Sequence, residues 1–168
     1  MTTVLRLEDP GEADVAALAA VLVDCVGHGA SVGFLAPLDP GDAEAWWRAA
    51  LATPGTTTWA AYDDQGVVVG CVRLSPATMP NSLHRAEVSK LMVSSRARGA
   101  GVASLLMPTL EDAARSRGLT LLLLDTETGS PAQGFYERRG WQVVGTVPGY
   151  ALDPHGRLSP TTILLRNL

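Results

Sequence analysis

A glycine-rich turn between a strand-like and a helix-like segment is the feature that most restricts how this chain can fold. Residues 85–93 have the composition of a strand, the chain breaks at residues 94–101, and a helical pattern then runs to about Arg117, with Gly118 as its C-terminal cap. Gly99 and Gly101 allow a tight turn whose free N–H groups point at one spot. The pattern predicts an anion-binding cradle at the start of a helix.

Three other interpretations of this turn can be compared with the sequence. A nucleotide-binding P-loop needs Lys-Ser/Thr after the glycines, and none follows Gly101. A dinucleotide-binding Rossmann unit is disfavoured because the strand before the turn comes in mid-chain, after a hairpin signal at residues 63–66. A turn with a purely structural role remains the alternative to an anion site.

The rest of the chain alternates between strand and helix patterns without a repeat or a linker. A helix cap at Asp39 is followed by proline, and proline also begins the pattern at Pro131. Strand patterns occupy residues 4–7, 57–62, 67–74, 85–93, 119–125, 141–147 and 161–165, and helical patterns occupy residues 12–26, 40–52, 102–117 and 131–139. This order predicts a single α+β domain with a mixed sheet, spanning residues 1–168.

Composition narrows the partners that we expect. The formal net charge is −4 and no block of Lys and Arg is present, so neither nucleic acid nor an anionic membrane is an expected partner. The start of the chain lacks the order of a signal peptide, which predicts a cytoplasmic protein. Cys25 and Cys71 lack metal-ligand spacing and are interpreted as buried thiols, so no metal is expected.

Pro108 lies inside the third helical pattern. Proline removes a backbone donor from a helix, so a kink or a local loosening is expected there. The sequence suggests no function for it.

Two motifs resemble the GNAT superfamily of N-acetyltransferases. Arg98, Gly101 and Ala103 have the spacing Arg-x-x-Gly-x-Ala after a strand that ends in Val93, and the Phe135-Tyr136 pair before Gly140-Trp141 is similar to the family's second cofactor segment. Longer stretches resemble the tabtoxin-resistance acetyltransferases within that superfamily, namely Gly29 to Phe34, Arg85 to Val88, Leu124 to Glu127, Pro148 to Tyr150 and Gly156 to Leu158. The resemblance implies a central mixed, mostly antiparallel sheet flanked by about four helices.

The same resemblance implies acetyl-CoA as co-substrate. Pantetheine would bond the splayed strand at Leu91, Met92 and Val93, and the pyrophosphate would lie on the turn. Family members often carry Asn at the position of Gly129, and Ser130 is expected to replace it as helix cap and cofactor contact. The implied cofactor-binding residues are Leu91, Met92, Val93, Arg98, Gly99, Ala100, Gly101, Val102, Ala103, Ser130 and Tyr136.

Three residues are candidates for the chemistry. An amine with a pKa near 10 is protonated at neutral pH, so a carboxylate that accepts its proton is useful. Glu87 stands where many family members place a general base, and Asp125 ends the next strand. Tyr136 matches the tyrosine that protonates the departing thiolate. The alternatives are an ion pair of Glu87 with Arg85 or Lys90, a turn bond at Asp125, and simple packing of Tyr136.

The acceptor site is expected in two loops, around residues 28–34 and between the last two strands. Ser31, Phe34, Tyr150 and Arg157 are the candidate substrate-binding residues, and Arg157 could hold a carboxylate by paired hydrogen bonds. The predicted function is N-acetylation of a small-molecule amine, such as an amino-acid-like antimetabolite, by a monomer or homodimer. A peptide acetyltransferase and a non-catalytic acyl-CoA sensor are the alternatives.

Overall fold

The computed structural model describes residues 1–168 as one seven-stranded sheet with helices on both faces. None of the helices combines the length and the apolar character that crossing a bilayer requires. The strands are β1 (Thr3–Arg6), β2 (Thr57–Tyr62), β3 (Val68–Pro76), β4 (Arg85–Val93), β5 (Leu121–Glu127), β6 (Gln142–Leu152) and β7 (Leu158–Asn167). The helices are α1 (Glu12–Gly27), α2 (Pro40–Leu51), α3 (Val102–Ser116) and α4 (Pro131–Arg138), with a 3-10 turn at Ser95–Ala97.

The strand order is β1-β2-β3-β4-β5-β7-β6. Every neighbouring pair is antiparallel except β4 and β5, which are parallel. The predicted mixed, mostly antiparallel sheet with four flanking helices is therefore confirmed.

Two hydrophobic clusters cover the two faces of the sheet. One contains α3 residues such as Leu106 and Leu110, together with Ala86 and Val88 of β4. The other contains α1 and α2 residues, including Trp47, which is fully buried. Since strand side chains alternate between faces, cluster membership shows which way each residue of β4 and β5 points.

The β6–β7 segment is longer and more regular than the sequence indicated. The expectation of a loop over residues 148–160 is wrong, because β6 continues to Leu152 and β7 begins at Leu158. A register shift between Val147 and Ala151 accommodates Pro148 and Gly149. β6 is an edge strand, where a missing backbone donor costs no ladder bond, so these residues do not end the strand.

Helix α3 continues through Pro108. Proline has no N–H to donate to the carbonyl four residues earlier, which leaves the carbonyl of Ser104 without its usual helical partner. Arg139, just after α4, donates to this carbonyl at 3.4 Å and to the Ser104 Oγ at 3.3 Å. The proline therefore creates an acceptor on α3 that binds the end of α4.

This contact predicts a specific coupling between two positions. Arg139→Ala should lower the free energy of unfolding by about 1 kcal/mol, because the Ser104 carbonyl loses its donor. In a Pro108→Ala background, the N–H of residue 108 can bond the Ser104 carbonyl. Arg139→Ala should therefore lower the free energy of unfolding by less in that background. Urea denaturation of the double-mutant cycle measures the difference, and the exposed Arg138→Ala serves as the control. Equal costs in both backgrounds would contradict the assignment.

Candidate active site

A gap between β4 and β5 forms the centre of the site. The two strands pair only where Arg85, Ala86 and Glu87 lie beside Leu121, Leu122 and Leu123. Beyond these three positions each strand continues without the other. A parallel pair that separates in this way opens a slot in the middle of the sheet, with unpaired backbone groups along its edges.

A bulge in β4 lies beside this gap. Cys71 of β3 faces Met92 and Arg73 faces Ser89, so Lys90 and Leu91 together oppose the single residue Val72. Lys90 has a φ of 53°, in the left-handed region. Such an inserted residue shifts the alternation of side chains and bends the strand away from its neighbour.

Backbone donors of β4 face the gap. Ser94 donates its N–H to the carbonyl of Val69 on β3 at 2.9 Å. Because successive backbone groups of a strand point to opposite sides, the N–H of Val93 faces away from β3 and into the gap, whereas that of Met92 faces β3. A donor for a developing oxyanion is therefore expected at Val93 rather than at Met92.

The turn at which an anion cradle is predicted follows β4 at one end of the gap. Gly99 and Gly101 have φ values of 80° and 79°, and Gly101 is the N-terminal cap of α3. The N–H groups of Arg98 and Ala100 donate at 3.4 and 3.3 Å within the turn. Those of Gly99, Gly101, Val102 and Ala103 have no acceptor in the chain. These four free donors fit a pyrophosphate at a helix N-terminus.

Asp24, at the end of α1, fixes the start of this turn. Its carboxylate accepts from the Ser95 N–H at 2.6 Å and from the Ser95 Oγ at 2.8 Å. Burial raises the pKa of the Asp24 carboxyl. The hydrogen bonds from Ser95 and Ser94, together with the nearby His28, outweigh burial and lower this pKa below its ordinary value. The sequence offered no sign of this role, because Asp24 is distant in the chain and lies on an ordinary helical pattern.

The left-handed backbone at Gly101 gives a test of the cradle. A Cβ there would meet no atom within 4 Å, so Gly101→Val acts through backbone strain and not through a clash. We expect relaxation of φ to displace the free amides and raise the Kd for acetyl-CoA at least tenfold by calorimetry. Gly118→Val, with a φ of 75° at the other end of α3, imposes similar strain and should leave the Kd unchanged. Wild-type affinity in Gly101→Val would exclude this site.

The two candidate bases point to the same face of the sheet. Leu122 and Leu124 belong to the α3-side cluster, so Asp125 points to the opposite face, where Glu87 also points because its neighbours Ala86 and Val88 are on the α3 side. Both carboxylates are exposed. Neither takes part in any of the seven ion pairs of the chain, so the ion-pair alternative for Glu87 does not occur.

Tyr136 lies on the other side of the gap. Its ring is buried in the α3-side cluster, with centroids 5.5 Å from Phe135 and 5.7 Å from Trp141. Burial raises the pKa of the phenol, and the negative charge of Asp125 raises it further. The hydroxyl therefore carries its proton at neutral pH.

Ser130 caps α4 as predicted. Its Oγ accepts from the Gln133 N–H at 3.3 Å and lies 3.4 Å from the Thr126 hydroxyl. The cap orients the helix that carries Tyr136. Contact of Ser130 with the cofactor stays a prediction.

The two predicted acceptor loops meet. Ala36 donates its N–H to the carbonyl of Pro154 at 2.8 Å. Phe34 is half-buried, and its ring contacts Trp46 of α2 edge to face, with centroids 5.6 Å apart. Ser31 is also half-buried, whereas Tyr150 is exposed on β6.

Arg157 is already paired. Its Nε donates to the Asp153 carboxylate at 2.7 Å within the same turn. The hydrogen bond from the Arg157 N–H lowers the pKa of Asp153, and burial opposes this effect. The Arg157 guanidinium and the His155 N–H lower the pKa further. Any acceptor carboxylate would have to compete with this ion pair.

Lys90 and Trp46 lie beside the predicted acceptor loop at residues 28–34. The Lys90 Nζ donates to the Val32 carbonyl at 2.9 Å and lies 4.9 Å from the centre of the Trp46 ring. The sequence indicated Lys90 only as a partner for Glu87. Regular alternation would place residue 90 with Ala86 and Val88, and the bulge that changes this has no clear sequence signal.

Comparison with known proteins agrees with this geometry. Residues 28–141 match the Acetyltransferase (GNAT) family. A "L-methionine sulfoximine/L-methionine sulfone acetyltransferase" of Pseudomonas paraeruginosa is 26% identical over 163 residues, which cover 96% of this chain and 94% of that protein.

Two solved structures have the same fold. A GCN5-related N-acetyltransferase from Kribbella flavida is 27% identical, with a TM-score of 0.79 and coverage of 99% of this chain and 98% of that chain. A phosphinothricin acetyltransferase from Sinorhizobium meliloti, in complex with AcCoA, is 21% identical, with a TM-score of 0.79 and coverage of 99% and 88%.

Proposed function

Because the chain belongs to the Acetyltransferase (GNAT) family, we propose that it transfers the acetyl group of acetyl-CoA to the amine of a small, amino-acid-like molecule. One observation carries the proposal. Glu87 and Asp125 lie on one face of the β4–β5 gap and protonated Tyr136 lies on the other. A base and an acid on opposite sides of a slot suit an attack from one side and departure of a leaving group on the other.

The cradle and the gap support acetyl-CoA as the donor. Four unpaired amides of the turn, at Gly99 and residues 101–103, suit the pyrophosphate, and the unpaired backbone of β4 suits the amides of the pantetheine arm. Acetyl-CoA supplies the acetyl group as a thioester. The residues on either side of the gap supply proton transfer and stabilise charge.

Each residue has a distinct task in this mechanism. Glu87, with Asp125, orients the acceptor ammonium and accepts its proton, directly or through water. The N–H of Val93 donates to the thioester oxygen as it gains negative charge. Tyr136 gives its proton to the departing sulfur. The acceptor nitrogen loses one proton before it attacks and a second as the tetrahedral intermediate collapses; one of these two restores the proton of Tyr136 and the other is released, so the products are the N-acetyl compound, CoA and one proton.

Two findings support a small acceptor. The Pseudomonas paraeruginosa relative acts, by its name, on methionine sulfoximine and methionine sulfone, which are amino-acid analogues. The hydrogen bond from Ala36 to Pro154 joins the two predicted acceptor loops, which favours a small acceptor over a long peptide. Acetylation of an antimetabolite would make this a resistance enzyme.

A screen of acceptors tests the proposal. Purified protein with acetyl-CoA is given methionine sulfoximine, methionine sulfone, phosphinothricin, polyamines or short peptides, and free thiol is measured. We expect turnover with at least one amino-acid analogue and little with peptides. CoA release with peptides alone would favour the peptide acetyltransferase, and binding of acetyl-CoA without turnover of any amine would favour a sensor.

A further inference from the structure

Lys90 lies beside the gap but takes no part in the proposed proton transfers. It stands on the same face as Glu87 and Asp125, and its Nζ makes one hydrogen bond, to the Val32 carbonyl. The geometry points to Lys90 as the residue that binds the carboxylate of the acceptor, so that the site selects zwitterionic α-amino acids over simple amines. This inference rests on the proposed acetylation of an amino-acid-like amine.

The bulge in β4 is what brings Lys90 to this face. Ala86 and Val88 pack on the α3 side, and an unbroken strand would put residue 90 there as well. With the extra residue, Leu91 and Val93 take the α3 side and Lys90 turns toward Val32, Phe34 and Trp46. The same irregularity that opens the gap thus places a cation beside it.

The surroundings of the ammonium group lack an anion at bonding distance. Lys90 takes part in no ion pair, and an ammonium has three N–H donors, so two are left after the bond to Val32. The centres of the Trp46 and Phe34 rings lie 4.9 and 5.8 Å from the Lys90 Nζ. The rings exclude water from the ammonium group, and their faces attract a cation. Burial lowers the pKa of Lys90, and the charge of Arg73 lowers it further, against the opposing charges of Asp125 and Glu87. A bound carboxylate would satisfy the two free donors.

The other cations near the predicted acceptor loops already have partners. Arg73 donates to the carbonyl of Ala50 and lies over the Trp46 ring at 5.6 Å. Arg157 is paired with Asp153. The Nε of Arg73 has no partner, but the Arg73 side chain is buried, whereas Lys90 is half-buried and pairs with no anion. Together with the carboxylates of Glu87 and Asp125, Lys90 matches the two charges of an amino-acid zwitterion.

The test uses one acceptor pair, L-methionine sulfone and its carboxamide, which differ in the carboxylate. Amidation also changes the pKa of the amine, so the informative quantity is the acid-to-amide ratio of kcat/KM in each variant relative to wild type. Lys90→Met should lower this ratio on the order of 100-fold, because the carboxylate loses a partly buried charged partner. Lys90→Arg should retain most of the ratio. Unchanged calorimetric affinity for acetyl-CoA verifies the fold, and Lys90→Gln, which can still donate to Val32, replaces the Met variant if that one does not fold.

The outcomes separate this inference from the proposed function. An unchanged acid-to-amide ratio in Lys90→Met, as an equal loss with both acceptors would give, would overturn the inference while leaving the acetyltransferase proposal in place. A ratio that falls in Arg157→Gln but not in Lys90→Met would assign the carboxylate to Arg157 instead. If wild type acetylates neither compound nor any other amino-acid analogue, the proposed acceptor class fails, and the inference fails with it.

Discussion

Glu87→Gln should lower kcat/KM for the acceptor amine by about 100- to 10,000-fold near neutral pH, the usual contribution of a general base. The substitution keeps the size of the side chain and removes only its charge. Glu87 is exposed and pairs with no cation, so the change leaves no buried partner unsatisfied and the fold should persist. Steady-state release of CoA, with one good acceptor, measures the loss.

The pH dependence distinguishes lost base catalysis from lost binding. As pH rises, more of the acceptor is present as the free amine, which needs no base, so Glu87→Gln should recover part of its rate at high pH. Asp125→Asn should chiefly raise the KM for the acceptor if that carboxylate only binds the ammonium, and should lower kcat if it is the base. Wild-type rates and profiles in both variants would show that the proton leaves by another route.

Much of the fold could be predicted because its signals are local. The hairpin at residues 63–66, the cap at Asp39 and the turn around Gly101 each depend on neighbouring residues, and the structure has all three. The predicted bounds of β2 and β4 are also those of the structure. Periodicity and turn chemistry are sufficient for such elements.

Features that depend on contacts between distant segments could not be predicted. The bulge at Lys90 appears only when β4 is aligned with β3, and nothing in the composition of residues 85–93 indicates where the extra residue falls. Arg139 binds the Ser104 carbonyl, which Pro108 leaves free, 35 residues earlier in the chain. Proline and glycine in β6 suggested a loop, since the sequence does not show that β6 is an edge strand.

The residues on the two sides of the gap differ in their exposure to solvent. Glu87 and Asp125 are exposed on one side of the gap. The face with Tyr136 is closed by Phe135 and Trp141, and desolvation keeps the phenol protonated. The proposed base is thus exposed to solvent, whereas the proposed acid is buried.

Tyr136→Phe should lower kcat by about 100-fold or more while changing the KM for acetyl-CoA little, because a general acid acts in the transition state rather than in binding. Only a hydroxyl is removed, and the ring keeps its contacts with Phe135 and Trp141. Tyr62→Phe, which removes a hydroxyl from the half-buried last residue of β2, is the matched control and should keep wild-type kcat. The measurement requires conditions in which chemistry limits the rate, established by single-turnover mixing. Equal kcat in Tyr136→Phe and wild type under those conditions would mean that water protonates the thiolate and that Tyr136 serves only to pack α4 against the sheet.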